Sequence, residues 1–156
     1  MPDKTIQFEL KSEQDTADLA RKLGKQLKSG DVVLLEGEIG AGKSFFARSL
    51  IQSVQQVVED VPSPTFTLVQ TYSTKLGEIW HADLYRLSAV DEVIELGLVD
   101  AFENAICLVE WPEILGDFIP KNALKLIFET TDDPNERRIS FQSSDKYHSE
   151  RFFNFI

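Results

Sequence analysis

The segment Gly37-Glu-Ile-Gly-Ala-Gly-Lys-Ser44 constrains this chain more than any other, because it satisfies G-x-x-x-x-G-K-[ST] in full. It follows the continuous apolar run Val32-Val-Leu-Leu35 and precedes Phe45, Phe46, Leu50, Ile51 and Val54, which recur at helical spacing. Strand, glycine-rich loop and helix in that order make a phosphate-binding loop, the P-loop. Its glycines let successive backbone N–H groups turn inward, forming a nest for phosphate oxygens at the positive end of the following helix. The Lys43 ammonium then reaches the β- and γ-phosphates, where it serves both binding and catalysis. The Ser44 hydroxyl offers a hard oxygen to Mg²⁺. The expected ligand is MgATP, with Gly37, Glu38, Ile39, Gly40, Ala41, Gly42, Lys43, Ser44 and Phe45 as nucleotide-binding residues.

The rest of the chain reads as a single α/β domain of the P-loop NTPase fold over residues 1–156, three layers around a mixed, mostly parallel sheet. With 156 residues, 42% of them hydrophobic, it is long enough to bury one real core and short for two. Ile6 to Leu10 alternates as a half-buried strand does, and Ser12 can cap a helix carrying Ala17, Leu19, Ala20, Leu23 and Leu27. The prolines in Asp60-Val-Pro-Ser-Pro64 exclude regular structure. Thr65 to Tyr72 and Glu78 to Asp83 form a hairpin about Ser73–Gly77, so part of the sheet is antiparallel. One or two short helices broken at Gly97 follow, then a buried strand from Ile106 closed by Pro112. Leu124 to Thr130 and Arg138 to Gln142 are the last strands, either side of the turn Thr131-Asp-Asp-Pro-Asn135. The tail 144–156 fits no motif. Its Phe152, Phe153, Phe155 and Ile156 are expected to dock on the domain's own core, with a partner contact as the alternative.

A P-loop enzyme also needs an acidic group at the end of a neighbouring strand for Mg²⁺, and a polar group to place the attacking nucleophile. Glu110 ends the apolar run Ile106 to Val109 and takes the metal role beside Ser44. Asp83 ends Ile79-Trp-His-Ala82 and is assigned to positioning or activating water, with metal contact as the alternative. Ser63-Pro-Thr-Phe66 lies about twenty residues after Lys43, where nucleotide switches place a mobile loop, and makes Thr65 the candidate γ-phosphate sensor. Trp111 either packs near the nucleotide or belongs to the core, and Arg138 either approaches the base or phosphates or is a solvated strand-end charge.

A net charge of −10 and a pI near 4.6 repel nucleic acid and anionic membranes, so direct, stand-alone binding of RNA or DNA is disfavoured. No apolar run approaches the roughly 20 residues that span a bilayer, and Met1 to Thr5 lacks a secretory pattern, which makes the cytoplasm the expected location. The single cysteine, Cys107, has no internal partner and reads as a small buried hydrophobe.

Taken together, Gly37–Ser44, Ser63-Pro-Thr-Phe66, His81-Ala-Asp-Leu-Tyr-Arg86 and Val109-Glu-Trp111 resemble the TsaE (YjeE) family of small bacterial ATPases, in the right order from about residue 6 to 142. The resemblance implies a weak Mg-dependent ATPase that binds a complex of TsaB and TsaD. It also implies support for threonylcarbamoylation (t6A) of adenosine 37 in tRNAs reading codons that begin with A. By motif position it makes Lys43 the phosphate lysine, Ser44 the metal hydroxyl, Thr65 the switch threonine, Asp83 the H-x-D aspartate, Glu110 the metal carboxylate and Trp111 the tryptophan beside it. Ser44 stands where threonine is more usual, and either hydroxyl can bind Mg²⁺.

Two rival readings share the P-loop. In a small-molecule kinase, Arg137 and Arg138 would form a lid over the transferred phosphoryl group. In a non-hydrolysing nucleotide sensor, an interaction module, shape alone would matter. A GTPase is disfavoured, since neither D-x-x-G after a switch strand nor [NT]-K-x-D is found.

Overall fold

A computed structural model describes residues 4–64, 67–143 and 151–152. Its chain order is β1 (Lys4–Leu10), α1 (Glu13–Gly24), β2 (Val32–Glu36), α2 (Lys43–Val54), β3 (Val69–Thr74), β4 (Gly77–Asp83), α3 (Val90–Glu95), α4 (Leu98–Asn104) and β5 (Ile106–Glu110). A 3₁₀ segment (Pro112–Phe118), β6 (Leu124–Thr130) and β7 (Arg137–Ser143) complete it. Local chemistry sets the boundaries. The Ser12 side chain accepts from the Asp15 N–H at 3.1 Å and opens α1. Gly97, at φ 82°, separates α3 from α4 as expected.

The strands form one seven-stranded sheet in the order β1-β7-β6-β2-β5-β4-β3. The central pairs β6–β2, β2–β5 and β5–β4 are parallel, and the outer pairs β1–β7, β7–β6 and β4–β3 are antiparallel. The sheet is therefore mixed, as expected, but the parallel pairs are half of the total rather than most. Short connections after β3 and β6 leave no room for a crossover, which forces their neighbours to run back antiparallel.

Alternation along β2 shows why there are three layers. Val33 and Leu35 join a core with α1 and α2 residues such as Leu23, Phe46 and Leu50, whereas Val32 and Leu34 join a second core with Val93, Leu98 and Phe102 of α3 and α4. A strand buried on both faces explains the unbroken apolar run. Cys107 is fully buried in the second core, and burial, with Glu78 adding to it, pushes its thiol up to about 12. Phe152 lies in the first core, so this part of the tail docks on the domain. Phe153, Phe155 and Ile156, and the switch residues Thr65 and Phe66, lie outside the described residues. Among the described residues no helix is long and apolar enough to cross a membrane.

Candidate functional site

Parallel strands β2, β5 and β4 end side by side, and the chemistry sits at those ends. On the face that packs α2, the row Ile79–His81–Asp83 runs along β4 and the row Ile106–Leu108–Glu110 along β5, with Asp83 paired to Glu110 in register. Each row is apolar at its start and polar at its carboxyl end. The pleat alone delivers two carboxylates to one edge.

The P-loop closes this edge from β2. Gly37, Gly40 and Gly42 take φ values of 148°, 82° and 102°. A Cβ on Gly37 would stand 2.7 Å from the Phe128 carbonyl oxygen, so only glycine allows β6 to come so close. Gly42 begins α2 with no side-chain cap, leaving the first amides of the helix for a ligand.

A cleft of about 390 Å³ opens here. Of the expected nucleotide-binding residues, Ile39, Gly40, Gly42, Lys43, Ser44 and Phe45 line it from the loop and helix, and Trp111 from the end of β5. Asp83 and Glu110 complete its polar floor, and Tyr85, not assigned from the sequence, adds a wall by packing on Trp111 with ring centroids 4.7 Å apart. Gly37, Glu38 and Ala41 instead line a recess behind the loop with Phe128, Glu129 and Thr130.

The Lys43 ammonium donates to the Gly37 carbonyl and lies 3.4 Å from the centroid of the Trp111 ring. Trp111 reaches that position because it takes a left-handed conformation, φ 56°, directly after β5, a conformation that costs a non-glycine residue about 1–2 kcal/mol. Burial lowers the Lys43 pKa, while Glu110, Asp83 and Glu113 pull it the other way. Burial raises the Asp83 pKa; the Glu110 charge adds to the rise, and the Tyr85 amide, His81 and Lys43 oppose it. The site is thus an ammonium and two adjoining carboxylates drawn partly out of water.

Glu110 accepts the Ser44 hydroxyl, with both carboxylate oxygens 3.0 Å from Oγ. This donor set is oxygen only and hard, which fits Mg²⁺, an ion that binds through one or two carboxylates, waters and substrate phosphates. No group of three or more His, Cys, Asp or Glu forms a metal cage among the described residues. Ser63 Oγ lies 3.4 Å from Ser44 Oγ, bringing the start of Ser63-Pro-Thr-Phe66 to the same hydroxyl.

Arg138 is elsewhere. It pairs with Glu9 at 2.8 Å and stands in register between Glu9 of β1 and Glu129 of β6, a position where carboxylates on both neighbouring strands hold it away from the cleft. Its neighbour Arg137 points to the loop instead. Arg137 Nε donates to the Ala41 carbonyl at 3.1 Å and Nη2 to the Gly40 carbonyl at 3.4 Å, while Nη1 holds the Pro134 and Glu136 carbonyls. It braces the P-loop against the β6–β7 turn and does not form the lid that a kinase reading required. Period-two alternation separates the two arginines, but which of them faces the loop depends on register.

The chain is similar to several known proteins. The family model described as "Threonylcarbamoyl adenosine biosynthesis protein TsaE" matches residues 10–139. The chain is 38% identical over 141 residues to the tRNA threonylcarbamoyladenosine biosynthesis protein TsaE of Rickettsia conorii, a match spanning 90% of this chain and 80% of that one. It is 32% identical over 139 residues to the Bacillus subtilis protein of the same name, spanning 88% and 85%. The crystal structure of Bacillus subtilis YdiB superposes with a TM-score of 0.79 over 99% of this chain and 96% of that one, at 24% identity, and so shares the fold.

Proposed function

Since the chain belongs to the TsaE family of threonylcarbamoyl adenosine biosynthesis proteins, we propose that it is a magnesium-dependent ATPase of low intrinsic turnover that serves a partner complex. Its part in tRNA threonylcarbamoyladenosine biosynthesis follows from that membership. The finer reading has it bind TsaB and TsaD, which hold the tRNA, and drive their cycle by nucleotide hydrolysis in the cytoplasm.

One observation carries this reading: Lys43, Ser44, Asp83 and Glu110 converge on a single cleft beneath the P-loop. On triphosphate binding, the Lys43 ammonium leaves the Gly37 carbonyl and the Trp111 face for the β- and γ-phosphates. Ser44 and Glu110 would hold Mg²⁺, which supplies charge neutralisation when bound. Asp83 then faces the γ-phosphate side of the cleft, and a carboxylate whose proton affinity burial has raised suits it to orient an attacking water and take its proton. The net charge of −10 supports a division of labour in which other subunits hold the RNA.

The test combines calorimetry of ATP binding, phosphate release with and without TsaB and TsaD, and t6A levels in a strain carrying Lys43→Ala. Losing two charge-assisted bonds at about 1.5–3 kcal/mol each predicts at least a hundredfold weaker ATP binding. It also predicts no t6A. Wild-type t6A in that strain refutes the pathway role. Binding without hydrolysis even beside the partners selects the sensor, and turnover only with a small acceptor selects the kinase.

A further inference from the structure

His81 lies one pleat deeper than the cleft requires. It follows Ile79 in its row, stands in register with Leu108, and is only 1% exposed. An aliphatic side chain there would continue the core without desolvating two ring nitrogens. Among the described residues Nδ1 has no hydrogen-bond partner. The other nitrogen has a close one: Nε2 is 2.7 Å from Oε2 of Glu110.

A carboxylate only accepts, so Nε2–H donates to Glu110. Glu110 in turn accepts the single hydroxyl hydrogen of Ser44. With that hydrogen held, the serine lone pairs turn toward the cleft, as a cation ligand needs. The competing partner, Ser63 Oγ at 3.4 Å, is farther and weaker. The geometry points to His81 as a positioning residue for the nucleotide's magnesium: it locks the Glu110 carboxylate, and Glu110 locks the Ser44 hydroxyl in its metal-binding orientation. This rests on the magnesium–nucleotide reading above. Groups that hold the ligands of a metal without touching it change its affinity by roughly 10–100-fold when removed.

The experiment is a Mg²⁺ titration of ATP binding, read by calorimetry, on wild type, His81→Leu, His81→Asn and His81→Gln. His81→Leu is expected to raise the Mg²⁺ concentration at half-effect by about 10–100-fold while leaving ATP binding in EDTA unchanged. His81→Asn, polar but too short to reach Glu110, should match it and decides the question if the leucine variant does not fold. His81→Gln, whose amide nitrogen reaches about as far as Nε2, should recover most of the loss. An unchanged Mg²⁺ midpoint in a folded leucine or asparagine variant overturns the proposal. So do equal losses with and without Mg²⁺, which would mark a packing role. A wild-type protein that binds no nucleotide at any Mg²⁺ concentration removes the underlying reading, and this one with it.

Discussion

Gly37→Ala and Gly40→Ala differ by one methyl group in the same loop, yet the structure predicts different costs. Both glycines have positive φ, 148° and 82°, where an alanine pays backbone strain of about 1–3 kcal/mol. At Gly40 nothing lies within 4 Å of an added Cβ, so strain is the whole cost. At Gly37 the new Cβ would stand 2.7 Å from the Phe128 carbonyl oxygen and 3.0 Å from its Cβ. Phe128 cannot withdraw easily, because β6 is paired on both sides, to β2 and to β7. Overpacking of that kind adds about 1–3 kcal/mol. For a domain of this size, each kcal/mol moves the Tm by roughly 2–4 °C, so Gly37→Ala should melt about 2–12 °C below Gly40→Ala. The assay is thermal unfolding of ligand-free protein, followed by circular dichroism. Equal Tm values for the two variants would show that β6 does not press on the loop, and the account of Gly37 would fail.

Asp83→Asn should stabilise the ligand-free protein at neutral pH while lowering phosphate release by about 10²–10⁴-fold. Burial raises the folded pKa of Asp83 above its unfolded value, so the ionised carboxylate costs stability above the folded pKa, and that cost disappears below the unfolded one. The Tm gain should therefore shrink as pH falls into the acid range, and a gain that does not vary with pH contradicts the reading. Phe152→Ala should cost about 3–5 kcal/mol, because this side chain is 1% exposed within the α1–α2 core. Denaturant unfolding measures it, and a loss under about 1 kcal/mol would mean that the tail contributes little to the fold.

The P-loop was legible because all its parts are contiguous. The placement of Lys43 and Ser44 follows from eight consecutive residues, and the flanking apolar runs state the strand and helix that hold them. The positions of Glu110 and Asp83 were legible for a related reason, since each is the carboxylate that ends a strand-like run and a parallel sheet gathers such ends at one edge. Arg137 and Arg138 show the limit. Alternation says that they face opposite ways, but only pairing with Glu9 and Glu129 assigns Arg138 outward and so turns Arg137 to the loop. Trp111 was open between the nucleotide and the core and Tyr85 carried no assignment, until the left-handed turn at Trp111 laid its ring under Lys43 and against Tyr85.

Sequence by itself determined the glycine-rich loop and the lysine and hydroxyl that end it, because that arrangement needs only neighbouring backbone and one short helix start. Tertiary structure decided what lies across from them: that β4 and β5 bring His81, Asp83 and Glu110 under Ser44, that half the strand pairs run antiparallel, and that Arg137 rather than Arg138 braces the loop. Those contacts join residues far apart in the chain, and their geometry is set by strand register, where a shift of one residue would turn every side chain to the opposite face.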